Sequence, residues 1–176
     1  MEAREKPPFS RLFRGGDIPP GGVRVSEQAS KQERKDIAEL LGLRSVNRFS
    51  FDAELTPAGK GAYDVTGSIA ARVVQTCVIT LEPIDVEIDY EVKVRFAPPE
   101  KGGPHDDPTQ FDPQARDLEP LIGDIMDLGQ LAYEHLAIAI DPYPRQAGTA
   151  FQWGGEAGSE SDDDSPFAVL KRLKDG

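Results

Sequence analysis

Residues 86–96 read VEIDYEVKVRF: Val86, Ile88, Tyr90, Val92, Val94 and Phe96 alternate with Glu87, Asp89, Glu91, Lys93 and Arg95. A β-strand turns successive side chains to opposite faces, so this period of two puts the apolar residues on one side and the charges on the other. Strands of a parallel sheet, covered on both faces, read instead as near-continuous apolar runs. Residues 86–96 are therefore a half-buried strand of an antiparallel sheet, and the neighbouring segments have to complete it.

Upstream, Val73 to Ile88 read VVQTCVITLEPIDVEI, with the chain's only cysteine, Cys77, ahead of Leu81-Glu82-Pro83. That tripeptide interrupts a β-branched run and is expected to make a hairpin turn. The preceding segment, YDVTGSIAARVVQTCVIT (63–80), is long and β-rich, and Gly67 with the pair Ala70-Ala71 marks a bulge or a close strand approach. TPAGKGA (56–62) is a turn by composition, and VNRFSFDAEL (46–55) is a third strand-like run. Further back, SKQERKDIAELLGL (30–43) has the signature of a helix. Ser30 is the N-cap, Glu33 occupies the capping-box position, Ile37, Leu40 and Leu41 form an apolar stripe, and Gly42 is the stop. VRVSE (23–27) alternates as a short strand, and residues 1–22, rich in Pro and Gly after Phe9, are expected as a flexible N-terminal arm.

Downstream, PPEKGGPHDDPTQFDPQARD (98–117) is polar and turn-forming, a mobile loop. LEPLI (118–122) is a candidate last strand. In MDLGQLAYEHLAIAIDPYPR (126–145), Asp127 caps a helix whose apolar side carries Leu128, Leu131, Ala132, His135, Leu136 and Ala139, and Pro142 ends it. Residues 147–164 are an acidic linker with the composition of disorder. Residues 165–176 open with Ser165 as cap and Pro166 at the first helical position, and place Phe167, Leu170 and Leu173 on one face. The expected architecture is α+β: a curved antiparallel sheet, partly barrel-like, with two or three packed helices, over residues 23–146. The terminal amphipathic segment either folds back onto the sheet or docks in a partner's groove.

The chain has 176 residues, a mean hydropathy of −0.45 and a net charge of −11. Residues 1–50 hold ten Lys/Arg against seven Asp/Glu, a balance of +3, while residues 51–176 stand at −14. An acidic body repels phosphate, so a basic protein is an easier partner than naked nucleic acid, although the +3 section is able to touch RNA locally. A single cysteine excludes an internal disulfide and suits a reducing compartment. The start, MEAREKPPFS, lacks the apolar core of a signal peptide, and no apolar run reaches the ~20 residues of a membrane span. A cytoplasmic protein is expected.

Catalytic chemistry finds little support. A Cys77 nucleophile would need a base, and the two histidines are His105, in a Pro/Gly/Asp loop, and His135, on or beside an apolar helix face. No CxxC or HxxxH spacing offers a zinc site, and neither GGDIPPGG nor GKG follows a strand with the ending of a phosphate loop. His105-Asp106-Asp107 reads as solvated loop charge. No cofactor or metal is expected.

QTCVITLEP with its alternating strand, MDLGQLAYEHLAIAIDPYPR, and PFAVLKRLK, in that order, resemble the YceD-like proteins, bacterial and plastid factors associated with accumulation of large-subunit (23S) ribosomal RNA. The resemblance spans roughly Val23 to Lys174. Many members carry a CxxC pair where this chain has Val74-Gln75-Thr76-Cys77, so their zinc-binding role does not carry over, and Cys77 is expected to be packed in a hairpin. The resemblance implies a non-enzymatic ribosome-biogenesis factor whose partner is a basic ribosomal protein or a pre-large-subunit particle, with rRNA reached indirectly and no membrane. The partner-binding residues it implies lie in the three motifs: Cys77, Leu81, Glu82 and Pro83; Asp127, Leu128, Leu131 and Glu134; Pro166, Phe167 and Leu170. Two other classes remain open. A metal-dependent nuclease on rRNA precursors would gather Glu82, Asp85 and Asp127 around Mg²⁺. A small-ligand-binding β-domain would show a sizeable apolar pocket.

Overall fold

The structure, a computed structural model, describes residues 7–99, 117–146 and 148. Chain order is β1 (Leu12–Arg14), a 3-10 turn (Gly15–Asp17), β2 (Val23–Gln28), α1 (Lys31–Leu40), β3 (Ser45–Gly59), β4 (Ala62–Thr76), β5 (Pro83–Ala97), β6 (Asp117–Pro120), β7 (Ile125–Asp127) and α2 (Leu128–Ala139). Strands β2-β3-β4-β5-β6 form one sheet in that order, antiparallel except for the β5–β6 pair, and β1 pairs with β7 in a small second sheet. The fold is α+β. The large sheet stays open, with β2 and β6 as its edges, rather than closing into a barrel.

The alternation in β5 sets the register. Val92 stands opposite Gly67 and Ile88 opposite Ala71, so the apolar side of β5 continues across β4 into Phe49, Phe51 and Leu55 of β3. Those three aromatic and aliphatic side chains are at most 1% exposed. Gly67 allows the close approach expected of it, because an added Cβ would meet the carbonyl oxygen of Asp52 and the Cα of Ala53. TPAG is not a turn: β3 runs on to Gly59, and only Lys60 and Gly61 turn. Both have positive φ, 53° and 73°, as the two-residue hairpin turn that matches strand twist requires. Likewise, Leu81-Glu82-Pro83 is only part of its turn, which spans Cys77 to Glu82, with Pro83 opening β5. Asp117, assigned to the mobile loop, opens β6. That strand runs parallel to β5, and a parallel return needs a dozen or more connecting residues, a length that residues 98–116 supply; the rest of the expected mobile loop, 100–116, lies outside the described residues.

Helix α1 begins with the expected capping box, in which the Ser30 side chain accepts from Glu33 N–H and the Glu33 carboxylate accepts from Ser30 N–H. It ends in a Schellman motif: Gly42 (φ 64°) donates to Glu39 O and Leu43 to Ala38 O. Ile37 and Ala38 face β3, whereas Leu40, counted in the stripe, is 58% exposed. The described part of the arm expected over residues 1–22 is docked through Phe9 and Ile18 rather than free. Phe9 is fully buried, edge-on to Phe49 at 5.2 Å, and Ile18 is 9% exposed. Pro and Gly shape this segment, but burying one phenylalanine is worth about 1.5–3 kcal/mol, enough to hold it down. The linker 147–164, Gly148 apart, and the segment 165–176 lie outside the described residues.

Candidate functional site

The Cys77 turn is built from backbone hydrogen bonds. Cys77 N–H donates to Glu82 O at 2.9 Å, Leu81 N–H to Cys77 O at 3.0 Å, and Leu81 takes a φ of 62°. The turn is joined to the segment after α2, because Val78 N–H donates to Pro144 O and Gln75 Nε2 to Asp141 O. Cys77 is fully buried, and its sulfur is surrounded by donors: the Thr80 hydroxyl, Thr80 N–H at 3.5 Å, and the N–H groups of Gln146 and Ile79. These hydrogen bonds, led by the two from Thr80, hold the thiol down to about 6 against the opposing effect of burial. Such a thiol is an internal acceptor that organises the turn.

Asp127 has the corresponding role at the opposite end of α2. Its Oδ1 caps the helix by accepting from Gln130 N–H at 3.0 Å and also accepts Arg11 N–H at 2.8 Å, while Oδ2 accepts the Ser10 hydroxyl at 2.6 Å. Arg11 then reaches across to Glu33 of α1 (2.7 Å) and Glu27 of β2 (2.9 Å), with its guanidinium 4.4 Å from the Phe9 ring centroid. The Arg11 hydrogen bond, with those from Ser30, pulls the Glu33 carboxyl down to about 2. Sequence patterning did not reveal this clasp, since no local periodicity links residue 11 to residues 27, 33 and 127.

The expected partner-binding residues therefore separate into two kinds. Leu81, Glu82, Pro83 and Glu134 are exposed. Cys77 and Leu128 are fully buried and Leu131 is 4% exposed, so these three belong to the interior, and the Asp127 carboxylate is occupied by the clasp. Pro166, Phe167 and Leu170 lie outside the described residues. Glu82, Asp85 and Asp127 are not brought together. Asp127 precedes the first residue of α2, the Cys77 turn adjoins the chain beyond its last, and twelve helical residues span about 18 Å. Asp85 is turned toward Arg72 at 3.4 Å. Among the described residues, no group of three His, Cys, Asp or Glu side chains is placed to hold a metal ion. His135, packed as expected, is 8% exposed with its ring 5.7 Å from that of Tyr90, and burial holds its pKa below the ordinary value. Two surface concavities, about 310 and 420 Å³, mix charged and polar side chains with a few small apolar ones, Ala38 and Val46 in the first and Val25 and Ala53 in the second.

The exposed face of the sheet carries a different feature. Asp85, Glu87, Asp89 and Glu91 place a carboxylate at every second position of β5, all exposed. Across β4, Val74 stands opposite Asp85 and Arg72 opposite Glu87, while Asp89 and Glu91 face Ala70 and Ser68, side chains too short to screen them. Arg72 and Lys93 engage the two outer carboxylates, leaving Glu87 and Asp89 at the centre of the stripe without an ion pair among the described residues.

Compared with known protein families, residues 65–174 match the family described as "Large ribosomal RNA subunit accumulation protein YceD", well over half of the chain. The chain belongs to the YceD family. The matched segment holds most of β4, the Cys77 turn, the acidic stripe of β5 and all of α2, whereas α1, β2 and β3 precede it. Comparison with curated proteins and with solved structures found no match. Membership in the YceD family connects the chain to accumulation of large-subunit ribosomal RNA. No helix among the described residues is long and apolar enough to cross a membrane.

Proposed function

We infer that the protein supports large-subunit rRNA accumulation as a non-enzymatic factor, binding a basic ribosomal protein or a pre-large-subunit particle through its acidic sheet face. The observation that carries this reading is the β5 stripe, Asp85-Glu87-Asp89-Glu91, exposed along one strand, with the short side chains of Ala70 and Ser68 opposite Asp89 and Glu91. A rigid strand spaces these carboxylates about 7 Å apart, two residues of rise, so a cationic segment meets several at once without the stripe having to be ordered on binding. Opposite fields accelerate encounter and disfavour wrong partners, and the complex is correspondingly sensitive to salt. The family match supports the process, and the occupied Asp127 carboxylate favours a binding role over metal-assisted cleavage.

Sedimentation of native-host lysate tests this reading. The protein is expected to travel with pre-large-subunit particles, to be released as salt rises, and to leave rRNA precursors intact with or without Mg²⁺. Magnesium-dependent cleavage by the purified protein, lost on replacing Glu82 or Asp85, would replace this reading with the nuclease one.

A further inference from the structure

The chain carries an excess of acid, yet one concavity is lined by cations. Lys31, Arg34 and Lys35 of α1 and Arg44 at the entrance to β3 surround a groove of about 310 Å³, with Ser45 and Asn47 beside them and no carboxylate in its lining. Arg11, Arg24, Arg72, Lys93 and Arg95 each have a carboxylate partner, whereas the four groove cations, like the scattered Arg14, Arg48, Lys60 and Arg145, have none among the described residues. Of the α1 carboxylates, Glu33 is held by Arg11 and Ser30, Asp36 accepts from Gln32, and the exposed Glu39 makes no ion pair with a groove cation among the described residues. Arg44 is also preorganised. Its Nε donates to Thr76 Oγ1 at 2.9 Å and its Nη2 to Leu81 O at 2.8 Å, which fixes the guanidinium and leaves Nη1 free to donate.

We propose that this groove binds the phosphate backbone of RNA. The choice of RNA over other polyanions rests on the proposed role in rRNA accumulation, while the groove itself rests only on geometry and lies before the segment matched by the family. Closely spaced cations with neutral hydrogen-bond donors beside them suit phosphate oxygens and read no sequence. The net charge of −11 does not forbid this, because charges beyond about 8 Å are screened at physiological salt and the groove acts locally. The molecule then has two poles, a basic groove for RNA and an acidic strand for a basic protein.

The test is fluorescence anisotropy of a labelled single-stranded fragment of large-subunit rRNA, titrated with salt against the full chain. With four cations engaged, the logarithm of the association constant should fall with the logarithm of salt at a slope of about −2.8, roughly −0.7 per phosphate. Lys31→Gln/Lys35→Gln should flatten the slope by about 1.4 and weaken binding equally for unrelated sequences. Arg14→Gln/Lys60→Gln, the same charge change at two exposed sites outside the groove, should leave the slope in place. Equal flattening by both double variants, or binding to anionic vesicles but not to RNA at low salt, would overturn the proposal. Glu87→Gln/Asp89→Asn separates it from the acidic-face reading. Loss of RNA binding in that variant counts against the groove, whereas loss of the particle with RNA binding retained supports two independent poles.

Discussion

Replacing Asp127 with alanine should cost about 2–4 kcal/mol, and the contributions follow from three hydrogen bonds. Losing the N-cap to Gln130 N–H costs about 1 kcal/mol. The Arg11 N–H, part-buried beneath the same carboxylate, loses its acceptor, and an orphaned backbone donor costs about 1–3 kcal/mol. The Ser10 hydroxyl, half-buried, can rotate toward water and adds little. Asp127→Asn keeps an oxygen in the Oδ1 position and should lose only about 1 kcal/mol, from the charge at the helix N-terminus and the Oδ2 contact. Urea unfolding followed by circular dichroism distinguishes the two. The alanine midpoint should fall well below wild type, with asparagine between them and a common dependence on denaturant. On a domain whose total stability is about 5–15 kcal/mol, the alanine variant remains folded at room temperature unless wild type lies at the bottom of that range. An alanine variant within about 0.5 kcal/mol of wild type, less than the usual effect of a lost cap, would refute the clasp as a structural element.

Three further outcomes are expected. Arg11→Leu should destabilise by about 1–3 kcal/mol by leaving Glu27 and Glu33 without their charge-assisted partner. Because the folded-state pKa of Glu33 lies near 2, below its ordinary 4.5, wild type has this contribution in full above 4.5 and loses it as pH falls toward 2; acid titration of the Arg11→Leu variant should show a weaker loss. Cys77→Ser should be mild, since the N–H groups around the sulfur can donate to a hydroxyl, whereas Cys77→Ala orphans them; wild type should gain stability from pH 6 to 9 as the depressed thiol is favoured ionised, and neither variant should show that rise in thermal melts. Gly129→Ala should cost about 1–3 kcal/mol in the same melts, because its Cβ would lie 2.6 Å from Arg11 N and force the docked N-terminal segment off α2.

Local periodicity made much of the fold legible. The alternation of 86–96, the Ser30/Glu33 box and the Asp127 cap each state their structure within a few residues, and each stands as expected. The misreadings concern contacts that are distant in sequence. Phe9 sits in a Pro/Gly-rich stretch that resembles an arm, and only its packing against Phe49 makes it core. TPAG looks like a turn, yet Pro57 and Gly59 lie at an irregularity near the end of a long strand, where both residues are tolerated. The candidate site was less legible still. Motif position points to Cys77, Leu128 and Leu131 as partner contacts, but burial makes them part of the interior behind the exposed strand. The groove cations come from two segments, 31–35 and 44, and the sequence does not reveal which neighbouring carboxylates are already engaged.

The ratio of large- to small-subunit rRNA in cells whose only copy carries Glu87→Gln and Asp89→Asn tests the acidic strand most directly. Both side chains are exposed and unpaired among the described residues, so the variant should melt like wild type. The ratio should fall toward that of cells depleted of the protein. A ratio restored to the wild-type value, at equal protein level and in cells where depletion lowers it, would contradict an acidic strand that binds the partner.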